Sequence, residues 1–355
     1  MATGHELPRI RHEVGAALER FLARQRVLLG DIGPELLPWL DAIGALLHGG
    51  KRLRAAFCYW GWRAADGPDG PPIHAAAAAL ELLHASALVH DDLIDESDTR
   101  RGRPSVHREF AARHAERGWR GPAPAFGSGA AILIGDILLG WTDEQLAASG
   151  LEPEALRRGQ PVLDAMRTEL IGGQYLDLLG QAAGDGSVGE ALRVITYKTA
   201  SYTVARPLQL GAALAGRTDA PMAAACRGYG VPLGVAFQLR DDVLGAFGDP
   251  ARTGKPSGDD LRDGKRTVLV ALARERATPA QRRVLDARLG DPGLDETGVA
   301  EVRAVITGTG ALAACELMIE SNLAEALRAL EDAPVPGQAR QALAELAVVA
   351  TERSD

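Results

Sequence analysis

Residues 73–98, IHAAAAALELLHASALVHDDLIDESD, read as one long helix. Alanine has the highest helix propensity, and Leu80, Leu83, Leu88 and Leu93 punctuate the stretch at near-helical intervals. The apolar body ends in Asp91, Asp92 and Asp95. On a helix, i and i+4 share a face, so Asp91 and Asp95 project together. About 150 residues later, a second apolar stretch, predicted helical from Ala220 to Phe247, carries FQLRDDVLG from Phe237 to Gly245. Burying ionised carboxylates together is unfavourable unless cations neutralise them.

Working outward, the rest of the chain also reads as helical. Predicted helices cover 7–29, 34–47, 51–65, 130–148, 154–180, 188–214, 267–289, 297–330 and 337–352. Runs rich in Val, Ile, Tyr and Thr are hard to find, and the expected class is all-α: a single domain over 1–355, one large helical bundle around a central cavity. His48-Gly49-Gly50 is a helix stop, and 66–72 (DGPDGPP) is a turn. The polar, Gly- and Pro-containing stretch 113–128 is expected to be a loop, as is 248–264.

Of the 355 residues, 46% are hydrophobic and only 5% aromatic, which suits a sizeable core of small side chains. The net charge of −8 argues against nucleic acid or an anionic membrane surface as main partner. No uninterrupted apolar run reaches the ~18 residues of a membrane span; Gly135 and Asp136 break the most apolar one. Met1 to His12 has no apolar signal-peptide core. Cys58, Cys226 and Cys315 lie far apart without metal-type spacing, which suits a reducing compartment. A cytoplasmic location and no membrane span are expected.

Hard carboxylate oxygens suit Mg²⁺, which commonly takes one or two carboxylates, waters and phosphate oxygens. Basic residues suggest where phosphate binds. Gly49-Gly50-Lys51-Arg52-Leu53-Arg54 places cations at a helix start, where free N–H groups and the helix dipole favour an anion. Arg100-Arg101-Gly102 follows the first aspartates, and Lys198, Lys255 and Lys265 lie further on. His84 stands seven residues before Asp91 on about the same helix face. Taken singly, each has a plainer reading: a solvated acidic or basic helix end, charge compensation, or a core histidine. Together they point to ionisation of an allylic diphosphate.

These motifs, GGKRLR, His84 with DDLID, RRG, Lys198-Thr199, FQLRDD, TGKP at 253–256 and the stretch from Asp259 to Lys265, resemble those of the trans-isoprenyl diphosphate synthases (polyprenyl synthase family), of the actinobacterial geranylgeranyl diphosphate synthase type. The resemblance spans most of the chain and implies the isoprenoid synthase fold, a homodimer, and three Mg²⁺ per active site. It implies that Asp91 and Asp95 bind two Mg²⁺ with Asp92 in support, and that Asp241, beside Asp242, binds the third. Arg100, Lys198 and Lys255 would hold the allylic diphosphate, and Gly50, Lys51, Arg54, His84 and Arg101 isopentenyl diphosphate, with Lys265 a further substrate-binding residue. Thr199 and Gln238 would stabilise the allylic cation. One departure stands out: the family's second motif commonly ends in a third aspartate, and here that position is Gly245.

The expected reaction is head-to-tail prenyl transfer, with product length set below Asp91. Ser86 and Ala87, five and four residues earlier, are small, where bulky aromatics in the family stop growth at C15. A floor one turn lower, at Leu82 and Leu83 with Trp141 or Met166, suits geranylgeranyl diphosphate. Farnesyl or longer polyprenyl diphosphates and a non-catalytic regulatory subunit are the alternatives. A class I terpene cyclase would need an Asn/Ser/Glu metal motif that is not found.

Overall fold

The structure is a computed structural model and describes residues 6–183, 186–248, 258–291 and 293–351. In chain order it comprises α1 (Glu6–Ile32), a short 3-10 turn (Pro34–Leu36), α2 (Leu37–Leu47), α3 (Leu53–Ala64), α4 (Pro71–Ile94), the strands β1 (Thr99–Arg100) and β2 (Arg103–Pro104), α5 (Val106–Glu116), α6 (Ala123–Ala147), α7 (Pro153–Ala183), α8 (Val188–Val194), a π-helical segment (Ile195–Ala205), α9 (Arg206–Leu214), α10 (Ala220–Phe247), α11 (Asp259–Arg262), α12 (Val268–Arg276), α13 (Pro279–Arg288), α14 (Glu296–Gly308), α15 (Ala311–Glu331) and α16 (Gly337–Thr351). Among the described residues the antiparallel β1–β2 pair is the only sheet. The fold is all-α, as expected, and the backbone packing divides into two compact units, Met1–Gln160 with Leu210–Arg217, and Pro161–Gln209 with Thr218–Asp355.

In the first unit α4 is the central helix, packed against α6, α3 and α1. Every residue from Ala76 to Leu83 is buried, because alanines let neighbouring helices approach and the leucines fill what remains. Two helix crossings depend on glycine. A Cβ on Gly135 of α6 would lie 2.0 Å from His90 Nε2 of α4, and one on Gly127 would lie 2.1 Å from the His107 carbonyl of α5. The loop predicted over 113–128 is correspondingly shorter: α5 runs to Glu116 and α6 starts at Ala123, with proline in its first turn, where the missing N–H costs nothing. Gly118 and Gly121, both left-handed, make the turn.

The second unit is centred on α10, packed against α15 and the π segment. Cβ atoms on Gly234 and Gly230 would lie 2.4 Å from Ala200 Cα and 2.6 Å from Ala205 Cα, so α10 meets the π segment nearly backbone to backbone. A single helix was predicted over 188–214; its middle is instead π-helical, a form concentrated at functional sites. The predicted helix 267–289 is two helices, because Thr278 makes a capping box with Gln281 ahead of Pro279. The predicted 297–330 breaks at left-handed Gly310, where α14 and α15 bend by 65°.

By length and composition α4 and α6 are each apolar enough to cross a membrane, as is the bent pair α14–α15 if counted as one span. This corrects the sequence expectation that no stretch qualifies; Gly135 and Asp136 do not lower the apolar character of α6 enough. In α4 the apolar surface is used within the fold, since two-thirds of its window is buried. All three cysteines are buried free thiols.

Candidate active site

In the first unit α4 ends at Ile94, four residues earlier than the pattern suggests, with Asp95 as its C-cap. The helix stops in a Schellman motif: Ser97 N–H donates to the Asp92 carbonyl (2.9 Å) and Glu96 N–H to that of Leu93 (3.4 Å). Glu96 takes the left-handed position (φ 52°) usually given to glycine, which is why the stop is hard to see in sequence.

The reversal brings Arg100 back onto the aspartates. Asp92 is the fully buried member, and Arg100 Nε donates to its Oδ1 at 2.9 Å, joined by Nη2 on the same oxygen. Arg100 Nη2 also lies 3.8 Å from Asp91 Oδ2. Burial pushes the Asp92 carboxyl upward and the Arg100 charge opposes that shift.

Arg101 (φ 54°) and Gly102 (φ 74°) are both left-handed, as a two-residue type I′ hairpin between β1 and β2 requires. Arg100 reaches Asp92, while Arg101 Nη1 reaches the carbonyls of Leu46 (3.1 Å) and His48 (3.2 Å) at the end of α2. Arg52 Nη2 adds a bond to the Leu47 carbonyl (2.9 Å), so two guanidiniums stand at the negative end of that helix dipole.

Gly49, Gly50 and Arg52 are all left-handed, and a Cβ on Gly50 would come within 3.4 Å of the Arg101 guanidinium. Lys51 and Arg54 are half-buried in this basic turn. His84 and Arg101 line one small cavity with Glu81 and Leu88. Burial, together with Arg54, Arg101 and Arg100, lowers the His84 pKa well below its ordinary value. Five and four residues before Asp91, Ser86 is buried and Ala87 half-buried.

The second unit assembles the remaining described residues. Gly173 of α7 allows the backbone of Lys198 to approach: a Cβ there would lie 2.4 Å from Lys198 N. One turn on, Asp177 Oδ2 accepts from Lys198 Nζ at 2.6 Å. Next along the π segment, Thr199 Oγ1 donates to Gln238 Oε1 (3.0 Å), and Gln238 Nε2 donates to Asp242 Oδ1 (2.8 Å). This chain of bonds fixes the Gln238 amide with its oxygen toward Thr199.

Burial pushes the Asp242 carboxyl up to about 8; the Gln238 hydrogen bond opposes it, Asp260 and Asp241 reinforce it, and Lys265 opposes it. Asp241 itself is half-buried. Lys265 Nζ sits 3.0 Å from Asp260 Oδ1 and 3.8 Å from Asp263 Oδ2. Lys255, with 253–256 and most of the predicted loop 248–264, lies outside the described residues.

The residues present fit Mg²⁺. Asp92 Oδ2 is a buried carboxylate oxygen without a hydrogen bond, beside Asp91 in a cluster of hard oxygen donors. Among the described residues no group of three or more His, Cys, Asp or Glu could hold a metal ion. Magnesium, which keeps waters and takes phosphate oxygens, does not need such a cage. The sequence missed Asp177 and the Arg52–Glu81 pair (3.7 Å), since neither stands near a motif partner along the chain.

A family model described as polyprenyl synthetase matches residues 38–306. A geranylgeranyl diphosphate synthase of Mycobacterium tuberculosis is 33% identical, over 92% of this chain and 88% of its own length. A heptaprenyl diphosphate synthase component 2 of Geobacillus stearothermophilus is also 33% identical, over 95% of each chain. A geranylgeranyl pyrophosphate synthase of Corynebacterium glutamicum, solved in complex with isoprenyl diphosphate and magnesium, shares 41% identity and superimposes with a TM-score of 0.94 over 98% of this chain and 99% of that one. The chain belongs to the polyprenyl synthetase family, the trans-prenyltransferases of the isoprenoid synthase fold.

Proposed function

We propose that this prenyltransferase condenses isopentenyl diphosphate head-to-tail with allylic diphosphates and releases geranylgeranyl diphosphate (C20). The small pair Ser86 and Ala87 carries the chain-length reading. They stand about 6–7.5 Å below Asp91 along α4, at ~1.5 Å per residue. Neither offers bulk to stop a growing prenyl tail, whereas Leu82 and Leu83, a turn lower, are large and buried.

In this reading Asp91 and Asp95 would bind two Mg²⁺ and Asp241 a third, with Asp92 and Asp242 in support. When bound, the metal neutralises charge on the departing diphosphate. Arg100, Lys198 and Lys255 hold the allylic diphosphate, with Lys265 nearby in sequence. Asp92 and Asp177 orient Arg100 and Lys198 before substrate arrives. Gly50, Lys51, Arg54, Arg101 and His84 hold isopentenyl diphosphate, with His84 adding a hydrogen bond.

As the allylic C1–O bond breaks, the oxygens of Thr199 and Gln238 face the developing cation, aligned by their mutual hydrogen bond. The isopentenyl double bond then attacks C1, and a proton is lost to the released diphosphate. The apolar flank of α4, with Ala85 and Val89 buried, excludes the water that would otherwise trap the cation.

The test is product analysis by mass spectrometry, with Mg²⁺, isopentenyl diphosphate and dimethylallyl, geranyl or farnesyl diphosphate in separate reactions. A dominant C20 product is expected. A C15 product or a ladder above C25 refutes the chain-length reading, and no product with any primer refutes the catalytic one.

A cytoplasmic homodimer is part of the same proposal. The exposed residues Ile171, Tyr175, Leu178 and Leu179 recur on one face of α7, an apolar stripe suited to a helical partner. The buried free thiols suit a reducing compartment. Light scattering giving twice the 37.4 kDa chain mass supports the dimer, and a monomer refutes it.

A further inference from the structure

The missing third aspartate of the second motif has a physical counterpart. Gly245 stands four residues after Asp241 on α10, as Asp95 stands four after Asp91, so a side chain there would share the Asp241 face. That space is filled. A Cβ built on Gly245 would lie 1.7 Å from Asp260 Oδ2 and 2.6 Å from its Cγ. We propose that Asp260 supplies the third carboxylate of the second aspartate motif, and that glycine at 245 is what admits it.

Asp260 cannot easily swing out of the way, because the segment bearing it is pinned. Next to it, Leu261 is buried in the core of the second unit. Leu261 N–H donates to the Gly258 carbonyl (3.0 Å), and its own carbonyl accepts from Gly290 N–H (3.0 Å). Lys265 N–H donates to the Asp260 carbonyl (3.0 Å), while Lys265 Nζ holds Oδ1 at 3.0 Å. This leaves Oδ2 as the oxygen turned against α10.

A carboxylate is thus delivered to the motif from 15 residues further along the chain, with Lys265 as its counter-ion. In the second unit, Asp241 and Asp260 would act together toward the cation and its bound diphosphate. The inference rests on the Mg²⁺-dependent reading above, and comparing Asp241→Asn with Asp260→Asn separates the two.

The experiment compares the parent with Asp241→Asn, Asp260→Asn, Gly245→Asp and the double variant Gly245→Asp/Asp260→Gly. Thermal unfolding is followed alone and with Mg²⁺ plus inorganic diphosphate, alongside a Mg²⁺ titration of prenyl transfer. Asp260→Asn is expected to raise the half-saturating Mg²⁺ concentration about 10-fold or more, the usual cost of losing a carboxylate that supports a metal. It should also shrink the unfolding shift given by Mg²⁺ and diphosphate.

Gly245→Asp should unfold at lower temperature than the parent without any metal, since two carboxylates then claim one space. The double variant, with its single carboxylate on the α10 side, should recover both stability and Mg²⁺ response. If Asp241→Asn weakens the Mg²⁺ response while Asp260→Asn leaves it at the parent value, the inference is overturned and the metal reading stands. If the double variant is no better than Gly245→Asp, the exchange is overturned as well. If the parent shows no Mg²⁺ response in either assay, the metal reading falls and the inference with it.

Discussion

Adjacent glycines on α7 should respond in opposite ways to the same added methyl group. Gly173 is buried, and its Cβ would meet Lys198 N at 2.4 Å, with Lys198 Cα and Tyr197 C at 2.8 Å. Ordinary contact begins near 3.4 Å, so α7 and the π segment must part by 3.4 − 2.4 = 1.0 Å. Backbone cannot swing aside as a side chain can. Such overpacking costs about 1–3 kcal/mol, offset by about 1 kcal/mol because alanine is the better helix former.

Gly172 has nothing within 4 Å of its Cβ position. Gly172→Ala should therefore stabilise by up to about 1 kcal/mol, and Gly173→Ala should be less stable than it by about 1–3 kcal/mol. Activity should separate them further. Asp177 stands one turn after Gly173, so both its carboxylate and the Lys198 backbone shift when the helices part. A displacement of ~1 Å in a positioning group can cost on the order of 10²-fold. We expect kcat/KM for the allylic substrate to fall roughly 10–100-fold in Gly173→Ala and to stay at the parent value in Gly172→Ala. Denaturant unfolding and steady-state kinetics measure both. Equal behaviour of the two variants would refute the argument that Gly173 sets the position of Lys198.

Ser86→Phe should shorten the dominant product from C20 to C15, read by mass spectrometry; an unchanged product length would mean the tail does not pass Ser86. Asp92→Ala should destabilise by roughly 3 kcal/mol in chemical unfolding, because it strips the partner from a largely buried Arg100; Asp92→Ala/Arg100→Ala should recover part of that loss. Burial raises the Glu169 pKa, but hydrogen bonds from Arg206 and Ser201 outweigh it, so the folded carboxyl is held below its ordinary value of 4.5. A folded value below the unfolded one means stability present above about pH 4.5 and lost as pH falls through the folded value. Unfolding of the parent should weaken with acidification, and Glu169→Gln should flatten that decline; identical acid limbs would count against the pair.

Much of the site could be read along the chain because its signals are local. Asp91 and Asp95 stand four apart on one helix, and Gln238 and Asp242 do the same, so their shared faces follow from 3.6 residues per turn. Helix ends were less legible. The stop after Ile94 uses a Schellman turn with Glu96 where glycine is usual, and Gly127, in a stretch whose composition reads as loop, lies inside α6 against the His107 carbonyl. Both depend on what neighbouring backbone requires, which composition does not record. The π segment likewise has no distinctive composition; the close approaches of Gly173, Gly230 and Gly234 accompany it.

The sequence by itself determined an all-α chain, two aspartate-bearing helices, a basic turn at 49–54 and the family those motifs define. These follow from propensity, periodicity and charge, properties each residue carries with it. Tertiary structure decided which charge answers which: Arg100 to Asp92, Arg101 and Arg52 to the end of α2, Lys198 to Asp177, Asp260 to the space beside Gly245. Those pairings join residues from five to dozens of positions apart. They arise only when turns, close-packed glycines and buried anchors such as Leu261 bring the segments together, because short-range electrostatics and packing depend on distance in space and not along the chain.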